Sequence, residues 1–174
     1  MINELFTNDI SNIGNLKAGD LIYLTGTVYT ARDAAHKKIF DLLDRGEKTP
    51  FEIRGSFIYF AGPTPGKGTL AVGACGPTTS SRMDPYTPRL MRLGLAATIG
   101  KGARSPEVVK SITETGGVYL CAIGGAGALA SEAIKSMEVI AFDELGCESV
   151  KKLTVEKFPL YVGIDSNGNT IFKA

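Results

Sequence analysis

Short apolar runs that alternate with glycine-rich turns and helical patterns most constrain how this chain can fold. Runs with so few polar positions are typical of strands that are covered on both faces. The predicted strands are Leu21 to Val28, Ser56 to Ala61, Leu70 to Cys75, Ala96 to Ile99, Val118 to Ile123 and Val139 to Phe142. Because helices are predicted between several of them, the pattern indicates an α/β layered domain with a partly parallel mixed sheet.

Four helical patterns lie among these strands, and residues that favour helix ends bound them. They run from the capping pair Thr30 and Asp33 to Leu43, from Asp84-Pro85 to Leu93, from Ser105-Pro106 to about Thr115, and from Gly127 or Ala128 to Ser136. Gly46, Gly94 and Gly116 follow the first three patterns, at positions where glycine commonly ends a helix.

The last part of the chain has a different pattern. Lys152 to Val155 and Pro159 to Ile164 predict two strands, and residues 165–169 predict a hairpin loop that leads to residues 170–172. Residues 1–18 have only a weak apolar pattern and are predicted to form an N-terminal arm. Residues 19–174 are predicted to form a single domain, which is long enough to bury a core.

The composition argues against two classes of protein. Nineteen basic and eighteen acidic side chains leave a formal net charge of +1. A nucleic-acid-binding protein needs a basic surface to neutralise phosphates, so no nucleic-acid partner is expected. No apolar run reaches the roughly 18 residues that suggest a membrane span. Because residues 1–20 also lack the apolar core of a signal peptide, we expect no membrane association and a cytoplasmic location.

The cysteines do not form a metal-binding pattern. Cys75, Cys121 and Cys147 are far apart in the sequence, no Cys-x-x-Cys pair occurs, and His36 is the single histidine. A metal site made by this chain alone is therefore not expected. Cys75 and Cys121 lie in apolar runs and are interpreted as core residues, whereas Cys147 follows a glycine and is expected in a turn.

The segment from Gly76 to Asp84 carries the clearest functional pattern. It follows a predicted strand and brings hydroxyl groups, among them Thr78 and Thr79, close to Arg82. Active-site loops of α/β sheets lie at the carboxyl ends of strands, and a guanidinium can hold a carboxylate through two hydrogen bonds. The segment thus suggests a site for a small anion. A turn followed by an ordinary helix cap is the alternative interpretation.

Two other strand-to-helix junctions also carry cations. Arg32 is predicted in the first turn of a helix, where backbone N–H groups favour an anion. Lys101 lies between two glycines that would let a ligand approach the backbone. If the strand ends share one edge of the sheet, Arg32, Arg82 and Lys101 converge there and suit a dicarboxylate. Arg32 could instead be a solvated surface residue. His36 is a candidate proton carrier, and the alternative is a structural histidine on the helix face.

Two glycine-rich stretches do not match nucleotide-binding motifs. Residues 62–68 are one residue short of the phosphate-loop spacing and have Gly68 where Ser or Thr would follow Lys67. Residues 125–130 match a dinucleotide-binding turn only loosely, and no acidic residue suited to a ribose ends the next strand. Nucleotide binding is therefore not expected.

Taken together, these motifs resemble the β subunit, or the C-terminal half, of the iron–sulfur class I fumarate hydratases. The β subunits of L-tartrate dehydratases look similar and are the near alternative. The resemblance runs from about Gly19 to Phe172 and is carried by Leu24-Thr25-Gly26-Thr27-Val28-Tyr29, Ala31-Arg32-Asp33-Ala34-Ala35-His36-Lys37, Gly76-Pro77-Thr78-Thr79 with Arg82-Met83-Asp84, Lys101-Gly102 with Arg104-Ser105, Ile123-Gly124-Gly125 and Phe158-Pro159.

The resemblance implies a swivelling β/β/α domain and a hydro-lyase that reversibly dehydrates (S)-malate to fumarate. In that family a [4Fe–4S] cluster binds the substrate, and the cysteines that hold the cluster belong to the other subunit. This chain would then be active only in a hetero-oligomer with a cluster-bearing α subunit. The alternatives are a β subunit that acts on L-tartrate or another hydroxy acid, and a non-catalytic anion-binding or assembly domain.

The resemblance also implies roles for particular residues. Arg32, Arg82 and Lys101 would bind the substrate carboxylates, and Thr78 would transfer the proton with help from an acidic group of the partner. Thr79 could be the proton-transfer residue in place of Thr78. His36 matches the family motif and is a further candidate for the site.

Overall fold

The computed structural model describes residues 3–123 and 127–173, apart from the side chains of residues 127 and 128. The strands are β1 (Asn3–Phe6), β2 (Leu21–Thr30), β3 (Phe57–Tyr59), β4 (Ala97–Gly100), β5 (Val118–Ala122), β6 (Ile134–Ala141) and β7 (Val150–Ile164). The α-helices are α1 (Asp33–Asp44), α2 (Thr87–Arg92), α3 (Pro106–Thr115) and α4 (Gly127–Ala133), and short 3-10 helices cover Ile13–Asn15, Ser80–Met83 and Asp143–Glu148.

All seven strands belong to one mixed sheet in the order β1-β2-β3-β4-β5-β7-β6. Strands β1 to β5 pair in parallel, whereas β7 runs antiparallel to β5, β6 and β2. Since β7 pairs with both β5 and β2, the strands β2, β3, β4, β5 and β7 form a closed circuit. The predicted α/β fold class with a partly parallel mixed sheet is confirmed.

Alternating side chains divide the core into two layers, because successive residues of a strand point to opposite faces. One layer is formed by the strands of the circuit and contains Val28, Tyr59, Ile99, Leu120 and Leu153. The other layer lies between the sheet and the helices and contains Ile39, Phe60, Leu90, Ile112 and Tyr119. Both faces of the central strands are thus covered, as the apolar runs indicate.

A buried arginine joins the helix layer to the sheet. The Nε atom of Arg104 lies 2.6 Å from Oδ1 of Asp84, and its two terminal nitrogens donate to the hydroxyls of Thr98 and Thr87 at 2.9 and 2.7 Å. The second carboxylate oxygen of Asp84 accepts the backbone N–H of Ser105 at 2.7 Å. Every polar end of this pair therefore has a partner, which a buried charge requires.

Two aromatic rings enclose the same guanidinium. The Cζ atom of Arg104 lies 5.2 Å from the ring centre of Phe60 and 4.6 Å from that of Tyr119. An arginine suits this position because its planar cation can stack on rings while it donates hydrogen bonds in its own plane. Arg104 is thus a structural residue of the helix layer.

The predicted strand from Leu70 to Cys75 is wrong. Only Val72 and Cys75 of this run are buried, and Leu70 is 46% exposed. The segment folds back on the preceding loop, where Thr64 bonds to Ala74 and Gly73 through backbone N–H and carbonyl groups. The run is apolar because two of its side chains fill the core, while its backbone pairs locally instead of with a long neighbouring strand.

Two of the predicted helix caps are also wrong. Helix α2 begins at Thr87 without a side-chain cap, because Asp84 bonds to Arg104 and to the start of the next helix instead. Helix α1 begins at Asp33 and has no capping box, because the hydroxyl of Thr30 donates to the carbonyl of Ser149. Long-range partners have replaced the local ones at both positions.

The third helix confirms its predicted ends. The Ser105 hydroxyl accepts the backbone N–H of Val108, and Gly116 ends α3 with a φ of 80°, in the left-handed region that glycine favours.

The final third of the sequence differs from its prediction at two points. Helix α4 ends at Ala133, three residues before the predicted Ser136, because β6 begins at Ile134. The two predicted strands after Lys151 are one strand of 15 residues, which pairs with β2 on one side and with β6 and β5 on the other. Because of these pairings the strand continues past Lys157, although this residue has a φ of 49°, in the left-handed region.

Residues 3–18 pack onto the sheet. Strand β1 pairs with β2 from Asn3 to Phe6. The buried side chains of Leu5, Ile13 and Leu16 belong to the core layer that the strands of the closed circuit form. The division at residue 18 stays a prediction. No helix within residues 3–123 and 127–173 is long and apolar enough to cross a membrane.

We predict that Asp84→Asn lowers the free energy of unfolding by roughly 3 kcal/mol, because it leaves the buried Arg104 charge uncompensated. Asp44→Asn is the matched control. Asp44 also lies 2.6 Å from an arginine, Arg89, but that pair is exposed, so its loss should cost less than about 1 kcal/mol. Urea unfolding at pH 7 measures both, and equal losses would contradict the structural role of Arg104.

Candidate functional site

The junctions that follow β2, β3 and β4 lie at one edge of the sheet, because these strands are parallel neighbours. Arg32 follows β2 by two residues, Gly62 follows β3 by three, and Lys101 comes directly after β4. This is the edge at which α/β sheets bind ligands.

The loop from Gly76 to Asp84 lies over the ends of β3 and β4. The backbone N–H of Thr78 donates to the carbonyl of Phe60 at 2.7 Å, and Thr79 pairs with Lys101 in an isolated parallel bridge. Ser80 donates its backbone N–H to the carbonyl of Lys101 at 2.9 Å. The structure therefore brings the hydroxyls of this loop to the residue that carries the third predicted cation.

Ser80 attaches this loop to the sheet. Its buried hydroxyl accepts the backbone N–H of Lys101 at 2.9 Å and lies 2.8 Å from the Tyr119 hydroxyl. A Cβ atom at Gly100 would overlap the Ser80 hydroxyl, so the loop can approach β4 only over a glycine. Ser80 and Gly100 were not identified as a contact from the sequence. A glycine at the end of a predicted strand is a signal that could have indicated close packing of a loop against that strand.

Arg82 connects the loop to the start of α1. Its Nη2 atom lies 2.5 Å from Oδ2 of Asp33, the first residue of the helix. The side chain of Arg82 is 54% exposed. An arginine has five N–H donors in a planar fork, so the pairing with Asp33 orients the guanidinium and leaves other donors for a ligand.

Arg32 is the N-terminal flanking residue of α1, and its guanidinium packs against Gly62. A Cβ atom at Gly62 would lie 3.3 Å from Nη1 and 3.4 Å from Cδ of Arg32. The Nε atom lies 4.0 Å from Oε1 of Glu148, and it is buried with no hydrogen-bond partner in the described part of the chain. A buried donor without a hydrogen-bond partner is costly, and the nearby Glu148 carboxylate offsets part of that cost.

His36 lies beneath Arg32. The ring is fully buried between Phe60 and Tyr86, and Nδ1 donates to the carbonyl of Arg32 at 2.9 Å. Burial lowers the pKa of His36 from 6.5 to about 4, so the ring is neutral at pH 7. In this arrangement His36 supports the first turn of α1, and the role in the site that its motif implies stays a prediction.

Thr78, Thr79 and Lys101 are the remaining predicted site residues, and all three reach the surface at this edge. Thr78 is half-buried, whereas Thr79 and Lys101 are exposed. Within residues 3–123 and 127–173 no side chain forms a hydrogen bond with the Thr78 hydroxyl. A threonine hydroxyl is a weak base unless a neighbour activates it, and the described residues place no activating side chain in hydrogen-bond contact with this one.

The two buried cysteines are poorly suited to bind an iron–sulfur cluster. Burial raises the pKa of Cys75 to about 12 and that of Cys121 to about 11, which opposes the thiolate form that binds metals. Cys147 is exposed in the 3-10 helix Asp143–Glu148. The described residues contain no group of three or more His, Cys, Asp or Glu side chains that could hold a metal ion.

The first glycine-rich stretch lies within the described residues. Residues 62–68 belong to the loop that folds back through Thr64 and Gly73, and Gly62 lies beside Arg32. Residues 124–126 of the second stretch lie outside the described residues.

Comparison with known proteins links this chain to a family. A family model described as Fumarase C-terminus matches residues 3–174. The chain is 41% identical to a Methanocaldococcus jannaschii protein provisionally named L(+)-tartrate dehydratase subunit beta, over 98% of this chain and 89% of that relative.

Two longer relatives are fumarate hydratases. The chain is 42% identical to fumarate hydratase 2 of Leishmania major, over 88% of this chain and 28% of the relative. It is 36% identical to the anaerobic class I fumarate hydratase of Escherichia coli, over 99% of this chain and 32% of the relative. The chain thus spans about a third of the length of these two relatives, and the predicted resemblance is confirmed.

We predict that the neutral, buried state of His36 makes stability depend on pH. The unfolded chain binds a proton near pH 6.5 and the folded chain only near pH 4, so the contribution is complete above about pH 6.5 and is lost as the pH falls toward 4. The loss is roughly 3 kcal/mol from the difference between the two pKa values.

Urea unfolding of the wild type and of His36→Gln between pH 4 and pH 7.5 measures this effect. Glutamine stays neutral throughout, so the variant should lose less stability than the wild type over that range. Since His36 is the single histidine, equal slopes in the two proteins would show that its pKa is not lowered by burial.

Proposed function

Since this chain belongs to the Fumarase C-terminus family, we propose that it is the β subunit of a hydro-lyase that reversibly dehydrates (S)-malate to fumarate. The observation that carries the proposal is the placement of Arg32, Arg82 and Lys101 at one sheet edge. A dicarboxylate has two negative groups to satisfy such a cluster.

The three cations act on the charge of the substrate. In the proposed reaction a C–H proton next to a carboxylate leaves, and negative charge builds up on that carboxylate before the hydroxyl departs. Arginine donors that are already oriented stabilise this charge without a large reorganisation. Arg82, held by Asp33, is oriented in this way. Arg32, packed on Gly62, binds the other carboxylate, whose charge stays constant in the reaction, and Lys101 adds a third positive charge.

Thr78 is the proposed proton-transfer residue, and Thr79 is the alternative. Both lie in the loop that is tied to Phe60 and Lys101. Because no described side chain is bonded to the Thr78 hydroxyl, we propose that an acidic group of a partner subunit activates it.

We further propose that the partner is an α subunit that carries a [4Fe–4S] cluster. The cluster would act as a Lewis acid toward the departing hydroxyl group. The proposal is supported by the poor fit of the buried Cys75 and Cys121 to cluster binding and by the subunit name of the archaeal relative. This chain would contribute carboxylate binding and proton transfer.

L-tartrate is the second candidate substrate. The Methanocaldococcus jannaschii relative that carries this name covers nearly the whole chain, and tartrate presents the same two carboxylates to the site. Assays of the assembled enzyme with malate, L-tartrate and a methylated malate, under exclusion of oxygen, separate these substrates. Full turnover by this chain alone would contradict the division of the site between two subunits.

We predict that Arg82→Met lowers kcat/KM of the assembled enzyme about 100-fold, because it removes donors to a carboxylate whose charge rises in the transition state. Arg92→Met is the control, since Arg92 is exposed on α2, and it should change kcat/KM less than about twofold. Wild-type activity in Arg82→Met, together with intact assembly, would favour the non-catalytic anion-binding or assembly domain.

We predict that Gly62→Ala lowers kcat/KM about tenfold, because the added Cβ would press on Arg32 and on the carbonyl of Cys147 at 3.0 Å and shift the guanidinium by a few tenths of an ångström. Gly14→Ala is the control, because its Cβ would meet only Ser166, at 3.9 Å. Steady-state kinetics of both variants test this, and unchanged activity in Gly62→Ala would mean that Arg32 is not positioned by Gly62.

A further inference from the structure

Lys151 is a buried cation that the candidate site does not use directly. Its side chain lies on β7, and only 3% of the residue is exposed. Its Nζ atom donates to the carbonyls of Gly146, Cys147 and Ser149 at 3.3, 2.8 and 3.2 Å. All three ammonium protons are thus committed to one short stretch of backbone.

A buried ammonium without a carboxylate partner is expensive to maintain. No carboxylate within the described ranges forms an ion pair with Lys151, so the three carbonyls alone offset the loss of hydration. An apolar side chain would avoid this cost but could not bind the backbone. The structural effect of Lys151 is therefore to hold the stretch 146–149 in one conformation.

Residues 146–149 pack beside Arg32 and the start of α1. Oε1 of Glu148 lies 3.5 Å from the backbone nitrogen of Ala34 and 4.0 Å from Nε of Arg32. The carbonyl of Cys147 lies 3.0 Å from the position that a Cβ on Gly62 would occupy. Helix α1 has no side-chain cap of its own, so Glu148 supplies the acceptor that its first turn lacks.

We propose that Lys151 is a positioning residue for Arg32, acting through Glu148. Lys151 fixes the backbone of Glu148, and the Glu148 carboxylate then holds the first turn of α1 and the guanidinium of Arg32 in their observed places. At 4.0 Å, in a half-buried setting, the carboxylate orients Arg32 without occupying its terminal nitrogens. The inference rests on the proposed role of Arg32 in carboxylate binding.

The test compares Lys151→Met with Lys152→Met in the assembled enzyme. Methionine keeps most of the length of lysine but donates no hydrogen bond, and Lys152 is exposed on the same strand. We expect Lys151→Met to speed hydrogen exchange at the Ala34 and Ser149 amides at least tenfold. It should raise KM for the dicarboxylate about tenfold and change kcat less than threefold, because Arg32 binds a carboxylate in both ground and transition states. Lys152→Met should change neither.

A double-mutant cycle with Glu148→Met, which removes the acceptor, tests whether the effect passes through Glu148. If it does, Lys151→Met combined with Glu148→Met raises KM no more than Glu148→Met alone. Additive effects, or faster exchange with an unchanged KM, would overturn the positioning role. If Lys151→Met does not fold, Glu148→Met must still raise KM and speed exchange at Ala34, and the absence of both would overturn the inference.

Failure of the proposed function gives a different result. In that case the wild-type assembly turns over none of the tested dicarboxylates. Hydrogen exchange at Ala34 still decides whether Lys151 keeps residues 146–149 packed against α1, since that measurement needs no substrate. Unchanged exchange in Lys151→Met would reject the positioning role whatever the activity.

Discussion

The buried ion pair between Arg104 and Asp84 is the interaction on which the candidate site depends. It connects the loop that carries Thr78 and Arg82 to strand β4 and to the start of α3, through Thr98 and Ser105. A charge in the core is tolerated only when each of its donors and acceptors is satisfied. The pair therefore leaves the loop few alternative positions, and the exposed side chains of the loop are held over the sheet edge.

The arginines of this edge differ in burial and in partners, and that difference separates structure from ligand binding. Arg104 is buried, and each group of its guanidinium has a bond. Arg82 is half exposed and is oriented by one carboxylate, while the buried Nε of Arg32 lies 4.0 Å from Glu148. The structural Arg104 is thus neutralised in the core, whereas Arg82, which is proposed to bind substrate, keeps unused donors at the surface.

Much of the fold could be predicted from local patterns, and the errors have a common cause. Apolar runs located β2, β4 and β5, and the Ser105 cap located α3. The wrong predictions, such as a strand at Leu70 to Cys75 and a cap at Asp84, arose where residues bond to distant partners. A hydroxyl or carboxylate beside a helix start has the same local pattern whether it caps that helix or reaches across to another element.

The sequence by itself determined the layered α/β class, the placement of cations at three strand-to-helix junctions, and the motifs that identify the family. These follow from short-range periodicity and from residue types at fixed spacings. Only the tertiary structure decided that Glu148, more than a hundred residues after Arg32, lies close to it, and that Lys151 binds the backbone on both sides of Glu148. That proximity results from the antiparallel pairing of β7 with β2, which is stabilised by burial of the whole sheet and leaves no local signal in the chain.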